Sequence, residues 1–222
     1  LNPQQLQAVQ HCEGPLIVVA GAGSGKTRVI TCRIAHLIKE KGLPPESILA
    51  ITFTNKAAGE MKERVRTMLD LRGAHPWVST FHSFCLRILR KHISELGFSN
   101  DFAVYDAQDQ LTLVKQCMKV AEISSDAFPP KSLLNLISGF KNDFLMPKDV
   151  EQDSMPYGNQ FKAASLYPVY QAALKKNNAL DFDDLLVFAV RLFQECPSLR
   201  NYYNDKFRHI LVDEFQDTNA AQ

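Results

Sequence analysis

Residues 20–27 read AGAGSGKT, and residues 208–219 read RHILVDEFQDTN. The first string follows an apolar run, LIVVA (16–20), and precedes a helical pattern. Strand, glycine-rich loop and helix start, in that order, make a phosphate-binding loop. Glycines let successive N–H groups curl around phosphate oxygens, and the helix N-terminus adds partial positive charge. Ala22, Gly23, Ser24 and Gly25 would line the phosphates, Lys26 would reach the β- and γ-phosphates, and the Thr27 hydroxyl would ligate Mg²⁺. Ala20 stands where the strict pattern has glycine, a position that accepts a small residue at negative φ. The alternative is a glycine-rich turn with an incidental Lys-Thr pair, and the strand–loop–helix setting argues against it.

A phosphate loop binds nucleotide but says nothing of hydrolysis. Asp213 and Glu214 end an apolar strand, where a parallel sheet presents its ligand crevice. Asp213 would hold the Mg²⁺, largely through water, and Glu214 could accept a proton from the water that attacks the γ-phosphate. A kinase has no use for the second acid, because its nucleophile is a substrate hydroxyl. An acidic pair after a strand is also a common helix cap, a reading weakened by the phosphate loop in the same chain.

These blocks need a scaffold, and the first third of the chain alternates strand and helix. LIVVA (16–20) and ILAITF (48–53) read as buried strands, with WVSTF (77–81) a weaker third. Between them, Val29, Ile30, Ile34, Leu37 and Ile38, then Ala58, Met61, Val65 and Met68, fall at helical spacing. That alternation predicts an α/β fold with a parallel sheet covered on both faces. From about 82 to 180 the pattern is helical without a convincing strand. Asp106 reads as a helix N-cap, Pro129, Pro130 and Pro147 as punctuation, and Pro168 as a kink or a helix start. A helix capped by Asp181 and the strand HILVD complete the chain. The division expected is 1–82, first part of an ATP-binding domain; 83–179, an inserted helical subdomain; and 180–222, a return to the first domain.

Composition agrees with a globular protein: of 222 residues, 45% are apolar and 22% charged. The apolar runs are strand-length, far short of a membrane span, and no signal-peptide pattern opens the chain. The start lacks Met, as a trimmed one would. Five scattered cysteines without a CxxC pair fit neither a disulfide framework nor a zinc site, and read as reduced thiols mostly filling core in an intracellular protein. Net charge is +1, with 13 Lys+Arg against 7 Asp+Glu in residues 1–100 and 12 against 17 beyond, so +6 and −5. The basic first half suits an anionic partner, and solvated helix faces suit it better. Lys115, Lys119, Lys131 and Lys141 read the same way: duplex DNA contacts are conceivable, solvated faces preferred.

LNPQQLQAV (1–9), AGAGSGKTR (20–28), AITFTNKAAGEM (50–61), VSTFHSF (78–84), LDFDDLL (180–186) and ILVDEFQDTN (210–219) together resemble the ordered N-terminal motifs of superfamily-1 DNA helicases of the UvrD/Rep/PcrA type. The resemblance covers both ends of the chain, while the helical middle matches in character more than in residues. It implies a RecA-like P-loop NTPase sheet with an inserted all-helical subdomain. It also implies that Gln5 reads adenine, as a Gln amide can, with Arg28 beside the ring. The rival for Gln5 is local, since Asn2-Pro3-Gln4-Gln5 is also a capping-box helix start.

By the same resemblance, Phe53, Thr54, Asn55 and Lys56 lie along single-stranded DNA, with Thr80 and His82 as further contacts. Stacking plus backbone contact holds a single strand without sequence preference. Periodicity alone would make Phe53 core. DFDD (181–184) is a weaker motif, explained in good part by Asp181 as a cap. The family's second motor domain, with its arginines for the γ-phosphate, has no counterpart here. The resemblance therefore implies a piece of a much longer polypeptide, an incomplete sheet with an exposed edge, and slow hydrolysis by the piece alone.

ATP and Mg²⁺ are the implied ligands. Single-stranded DNA, its junctions with duplex and the missing C-terminal motor domain of the same polypeptide are the implied partners. A cytoplasmic, nucleoid-associated setting, 3′-to-5′ movement and roles in repair or replication are implied too. The helicase part of a recombination helicase–nuclease shares most of these motifs, and a P-loop switch that moves nothing remains the rival of another class.

Overall fold

The computed structural model describes residues 1–21, 23–69, 73–151 and 155–222. The chain divides into two compact units, 1–83 with 198–217 and 84–197 with 218–222. Helix Phe182–Glu195 and residues 218–222, which the sequence division groups with the first domain, fall in the second unit.

The first unit is α/β. It contains α1 (Pro3–Gln10), α2 (Lys26–Lys39), β1 (Ile48–Thr52), α3 (Asn55–Met68) and β2 (Trp77–Thr80). The helix α4 (Phe81–His92) leads out of the unit. The strands are parallel in the order β2–β1–β5, with β5 spanning His209–Val212. Every residue of β1 is buried, as a central parallel strand requires. Ile48 and Ala50 on β1, Val78 and Leu211 meet Ile34 and Leu37 of α2 and Met61 and Val65 of α3 in one core. These are the positions whose spacing predicts the two helices.

Residues 16–20, expected as a strand, carry no ladder. Ile17 and Val19 are 77% and 94% exposed, and Ile210 on the outer strand β5 is 61% exposed. An apolar run specifies strand propensity, but a strand exists only where a neighbour pairs its N–H and C=O groups. No such neighbour stands beside 16–20 among the described residues.

The second unit is helical: α5 (Ala107–Val120), α6 (Pro130–Asn142), α7 (Asn159–Lys176) and α8 (Phe182–Glu195). Asp106 and Asp181 cap α5 and α8, each in a reciprocal capping box. Pro168 lies inside a continuous α7, so it neither starts nor ends a helix. A parallel pair of two-residue strands, β3 (Ala103–Val104) and β4 (Ala179–Leu180), appears where no strand was expected. Leu133 and Ile137 of α6 join Leu166, Tyr167, Tyr170 and Leu174 of α7 and Val114 and Met118 of α5 in the core. Of the five cysteines, all free thiols, Cys85 and Cys117 are buried.

Lys141 corrects the sequence reading. Lys115, Lys119 and Lys131 are exposed, but Lys141 is 0% exposed. Its Nζ lies 2.6 Å from Asp181 Oδ2 and 2.8 Å from Asp184 Oδ1. Tyr170 donates to Asp181 at 3.1 Å, and Gln171 donates to both oxygens of Asp184 at 3.1 Å. One cation thus faces two buried carboxylates, one charge too many. Burial, then the neighbouring Asp181, pushes Asp184 up to about 6, against the pull of Lys141.

The folded chain then holds a proton in the window between about pH 4, where an unfolded Asp ionises, and about pH 6. Stability contributed by this site therefore falls as pH rises through that window. Urea unfolding from pH 4 to 7 should show the slope, and Asp184→Asn should flatten it. An equal slope in the variant would locate the proton elsewhere.

Candidate active site

The C-terminal ends of the three strands share one edge of the sheet. Thr52 lies opposite Thr80, and Ile51 opposite Val212. Asp213 follows directly, its N–H donating to the Ile51 carbonyl at 2.9 Å. Phe53, Thr80 and Asp213 therefore leave the sheet together, at the edge where parallel sheets present ligands.

Gly25 is the N-cap of α2, at φ 86°, and Gly23 has φ 73°. A side chain disfavours that region, and a Cβ on Gly25 would stand 3.3 Å from Gln5 Nε2. Glycine at 25 is thus fixed by both backbone and neighbour. The Lys26 ammonium turns back onto the loop, donating to the carbonyls of Ala20 at 3.1 Å and Gly21 at 3.0 Å. Both partners are neutral, so among the described residues Lys26 is a cation held at the loop without a paired anion there. Ala22 lies outside the described residues. Arg28, exposed, is one residue beyond Thr27 on α2.

Thr27 joins the loop to the acidic block. Its Oγ1 donates to Asp213 Oδ2 at 3.3 Å, across 186 residues of sequence. Asp213 is 8% exposed, and its other oxygen accepts the Glu214 N–H at 3.1 Å. A hydroxyl and a carboxylate this close are hard oxygen donors of the kind Mg²⁺ takes. The described residues hold no cluster of three or more His, Cys, Asp or Glu that could bind a metal. A cation here would therefore rely on one carboxylate, one hydroxyl, water and ligand oxygens, the pattern Mg²⁺ prefers.

Glu214 has φ 56°, the left-handed region, without being a helix C-cap. Its carbonyl accepts from the Asp217 N–H at 2.9 Å, which folds Phe215–Asp217 into a short 3₁₀ turn. A charged non-glycine residue held there costs about 1–2 kcal/mol. Such strain persists only where the surroundings impose it, and it gathers at functional sites.

Gln5 serves two local bonds. Its Oε1 accepts the Asn2 N–H at 2.9 Å, completing a capping box, and its Nε2 donates to the Ser24 carbonyl at 2.9 Å. The cap predicted from sequence forms. The bond to Ser24 was not foreseen, since nothing local in the sequence marks it, and it places the Gln5 amide against the phosphate loop.

Phe53 is half-buried, its ring edge-on to Phe81 with centroids 5.7 Å apart. It is neither plain core nor a free stacking platform. Thr54 caps α3, its Oγ1 accepting from the Ala57 N–H at 3.1 Å, and Asn55 and Lys56 lie exposed in the first turn. An exposed helix N-terminus with a lysine suits phosphate oxygens. Thr80 is buried and donates to Ser83 Oγ at 2.9 Å, so it braces the start of α4. His82 is half-buried, and burial lowers its pKa.

Residues 1–222 match the model of the UvrD/REP helicase N-terminal domain. The chain is 46% identical over its full length to "ATP-dependent DNA helicase PcrA" of Staphylococcus aureus (strain Mu50), covering 30% of that protein. It is equally similar, over the same share, to the protein of that name from Staphylococcus epidermidis (strain ATCC 12228). The chain thus spans about 30% of the length of these curated relatives. A match from first residue to last settles the kinship: the chain belongs to the UvrD/REP helicase N-terminal domain family.

Proposed function

We propose that this chain is the ATP-binding N-terminal part of an ATP-dependent DNA helicase, acting on single-stranded DNA and its junctions with duplex. The observation that carries the reading is the Thr27–Asp213 contact, which joins a phosphate loop to an acidic strand end. Gly23 to Thr27 would hold the nucleotide phosphates, with Ala22 expected among them, and Gln5 and Arg28 the base. Thr27 and Asp213 would hold Mg²⁺, which neutralises phosphate charge when bound. Lys26 is already at the loop and needs only to exchange two carbonyls for phosphate oxygens. Glu214 would take the proton from the attacking water.

Phe53, Thr54, Asn55, Lys56, Thr80 and His82 leave the same sheet edge and would face single-stranded DNA. In this reading Thr80 acts through its bracing of Ser83, since its hydroxyl is buried. The RecA-like assignment extends the observed sheet by two strands, an intervening one and the run 16–20. The unladdered run 16–20 and the exposed edge of β5 are what an intervening strand from elsewhere in the polypeptide would cover. The share of the relatives that is covered supports a longer polypeptide, and a second motor domain within it belongs to this reading. Movement 3′-to-5′, a part in repair or replication, and a cytoplasmic, nucleoid-associated setting belong to the same reading. No helix among the described residues is long and apolar enough to cross a membrane.

The test is ATP turnover by the full-length polypeptide with and without single-stranded DNA. Turnover should rise with DNA and be lost in Lys26→Ala. Turnover indifferent to DNA would replace the helicase reading with that of a nucleotide switch.

A further inference from the structure

Helix α1 is eight residues long, too short to hold its shape alone in water. Its first turn has no acidic residue and its last turn no basic one. Its apolar face is narrow: Ala8 and Val9 are buried against Val29 of α2, with Cys32 alongside. A further hold comes from α2. Arg33 Nη1 donates to the Ala8 carbonyl at 2.8 Å, across 25 residues of sequence. Ala8 stands in the last turn of α1, where carbonyls run out of N–H partners from their own helix and the dipole favours a cation. The half-buried guanidinium thus supplies the cation that α1 lacks.

The other end of α1 meets the phosphate loop, where Gln5 Nε2 donates to the Ser24 carbonyl at 2.9 Å. Val29 and Arg33 are one turn apart on α2, and Gly25, whose missing Cβ makes room for the Gln5 amide, stands one turn before Val29. On α1 the matching positions are Gln5, Ala8 and Val9, which share a face at spacings of three and four. Two hydrogen bonds therefore pin a short helix near its two ends, with an apolar contact between them. Without the Arg33 bond, Gln5 would ride on a helix held by two small buried residues and its own cap.

We propose that Arg33 is a positioning residue for nucleotide base selection. By holding the last turn of α1 on α2, it keeps the Gln5 amide, one turn away, beside the phosphate loop where an adenine edge would meet it. The assignment rests on the proposed role of Gln5 for what is selected, but not for the anchoring of α1. Arg33 acts through α1 and not on the nucleotide.

Arg33→Met, which keeps an apolar stem and removes the donors, tests it in the full-length polypeptide. Titration calorimetry with Mg²⁺-ATP and Mg²⁺-GTP should show the preference for ATP falling about tenfold, near the lower end of what a bidentate amide–adenine pair discriminates. Gln5→Ala should lower the preference by about the same factor. The double variant should lower it no further, because both changes undo one contact. Backbone amide exchange at Leu6 and His11, whose N–H groups donate to the Asn2 and Gln7 carbonyls, should quicken in Arg33→Met. About tenfold is expected, the lower range for a charge-assisted hydrogen bond, while α3 keeps its native rates.

An intact preference for ATP in Arg33→Met, with both nucleotides weakened alike or neither, would overturn the proposal, as would effects that add in the double variant. Exchange that quickens in α3 as much as in α1 would overturn it too, by making Arg33 a support of the whole unit. An unaltered protein that binds GTP as well as ATP would instead remove the base reading of Gln5, and the exchange measurement decides the anchor even then.

Discussion

ATP turnover by the full-length polypeptide is expected to fall by about 10²–10⁴-fold when Glu214 becomes Gln, the range that general-base catalysis supplies. Binding of Mg²⁺-ATP should survive. The reason lies in how the two acids divide the work. Asp213 is buried and shares its oxygens with Thr27 and the Glu214 N–H, so on the proposed function it would serve the metal side. Glu214 is exposed, and among the described residues no such bond ties its carboxylate.

Gln at 214 keeps the size and the backbone conformation and removes only the proton acceptor. Rapid-quench measurement of a single turnover, with a binding titration alongside, separates the two effects. A Gln variant that hydrolyses ATP at the native rate would move the base elsewhere. Lys26→Ala should instead weaken binding and turnover together, since on the proposed function its cation would serve the phosphates in ground and transition states alike. A companion change, Glu214→Gly, relieves the left-handed strain and should raise stability by about 1 kcal/mol while abolishing the same activity. Stability gained and function lost at one position would identify the strain as held for catalysis.

Much of this was legible in the letters. The helix spacings of Ile34, Leu37, Met61 and Val65 rest on a local rule, and each residue stands in the core where the rule puts it. What stayed hidden depends on partners distant in sequence. The run 16–20 has the composition of a buried strand, yet a ladder cannot be read from one of its two sides. The bond from Gln5 to Ser24 spans 19 residues, and the two-residue pair β3–β4 is too short to show a period. Lys141 is the instructive case, because a signal existed. Leu133, Ile137 and Lys141 are spaced by four on α6, so the lysine falls on the apolar stripe and not on the solvated one. Periodicity outranks charge here because two aspartates one helical turn apart, at 181 and 184, meet the lysine on that stripe.

That burial makes Lys141→Met the largest expected stability change, a loss of about 3–5 kcal/mol, the usual cost of removing one partner from a buried ion pair. The methionine fills much of the space, so the loss is electrostatic: Asp181 and Asp184 remain desolvated with only Tyr170 and Gln171 as side-chain donors. The exposed pairs offer the contrast. Arg64 and Glu60 are each about half exposed, and Arg64→Ala should change the urea midpoint by less than about 1 kcal/mol in equivalent stability. If the deficit in Lys141→Met is unpaired charge, removing the charge should restore it. Asp181→Asn keeps a side-chain oxygen for the α8 cap, where Oδ1 accepts the Asp184 N–H at 2.9 Å, and Asp184→Leu deletes the second carboxylate. The triple variant should therefore recover most of the lost stability, well short of the sum of three separate penalties. A triple variant less stable than Lys141→Met alone would mean that the network is held by geometry its neutral replacements cannot reproduce, and that α6 depends on these aspartates for shape as well as for charge.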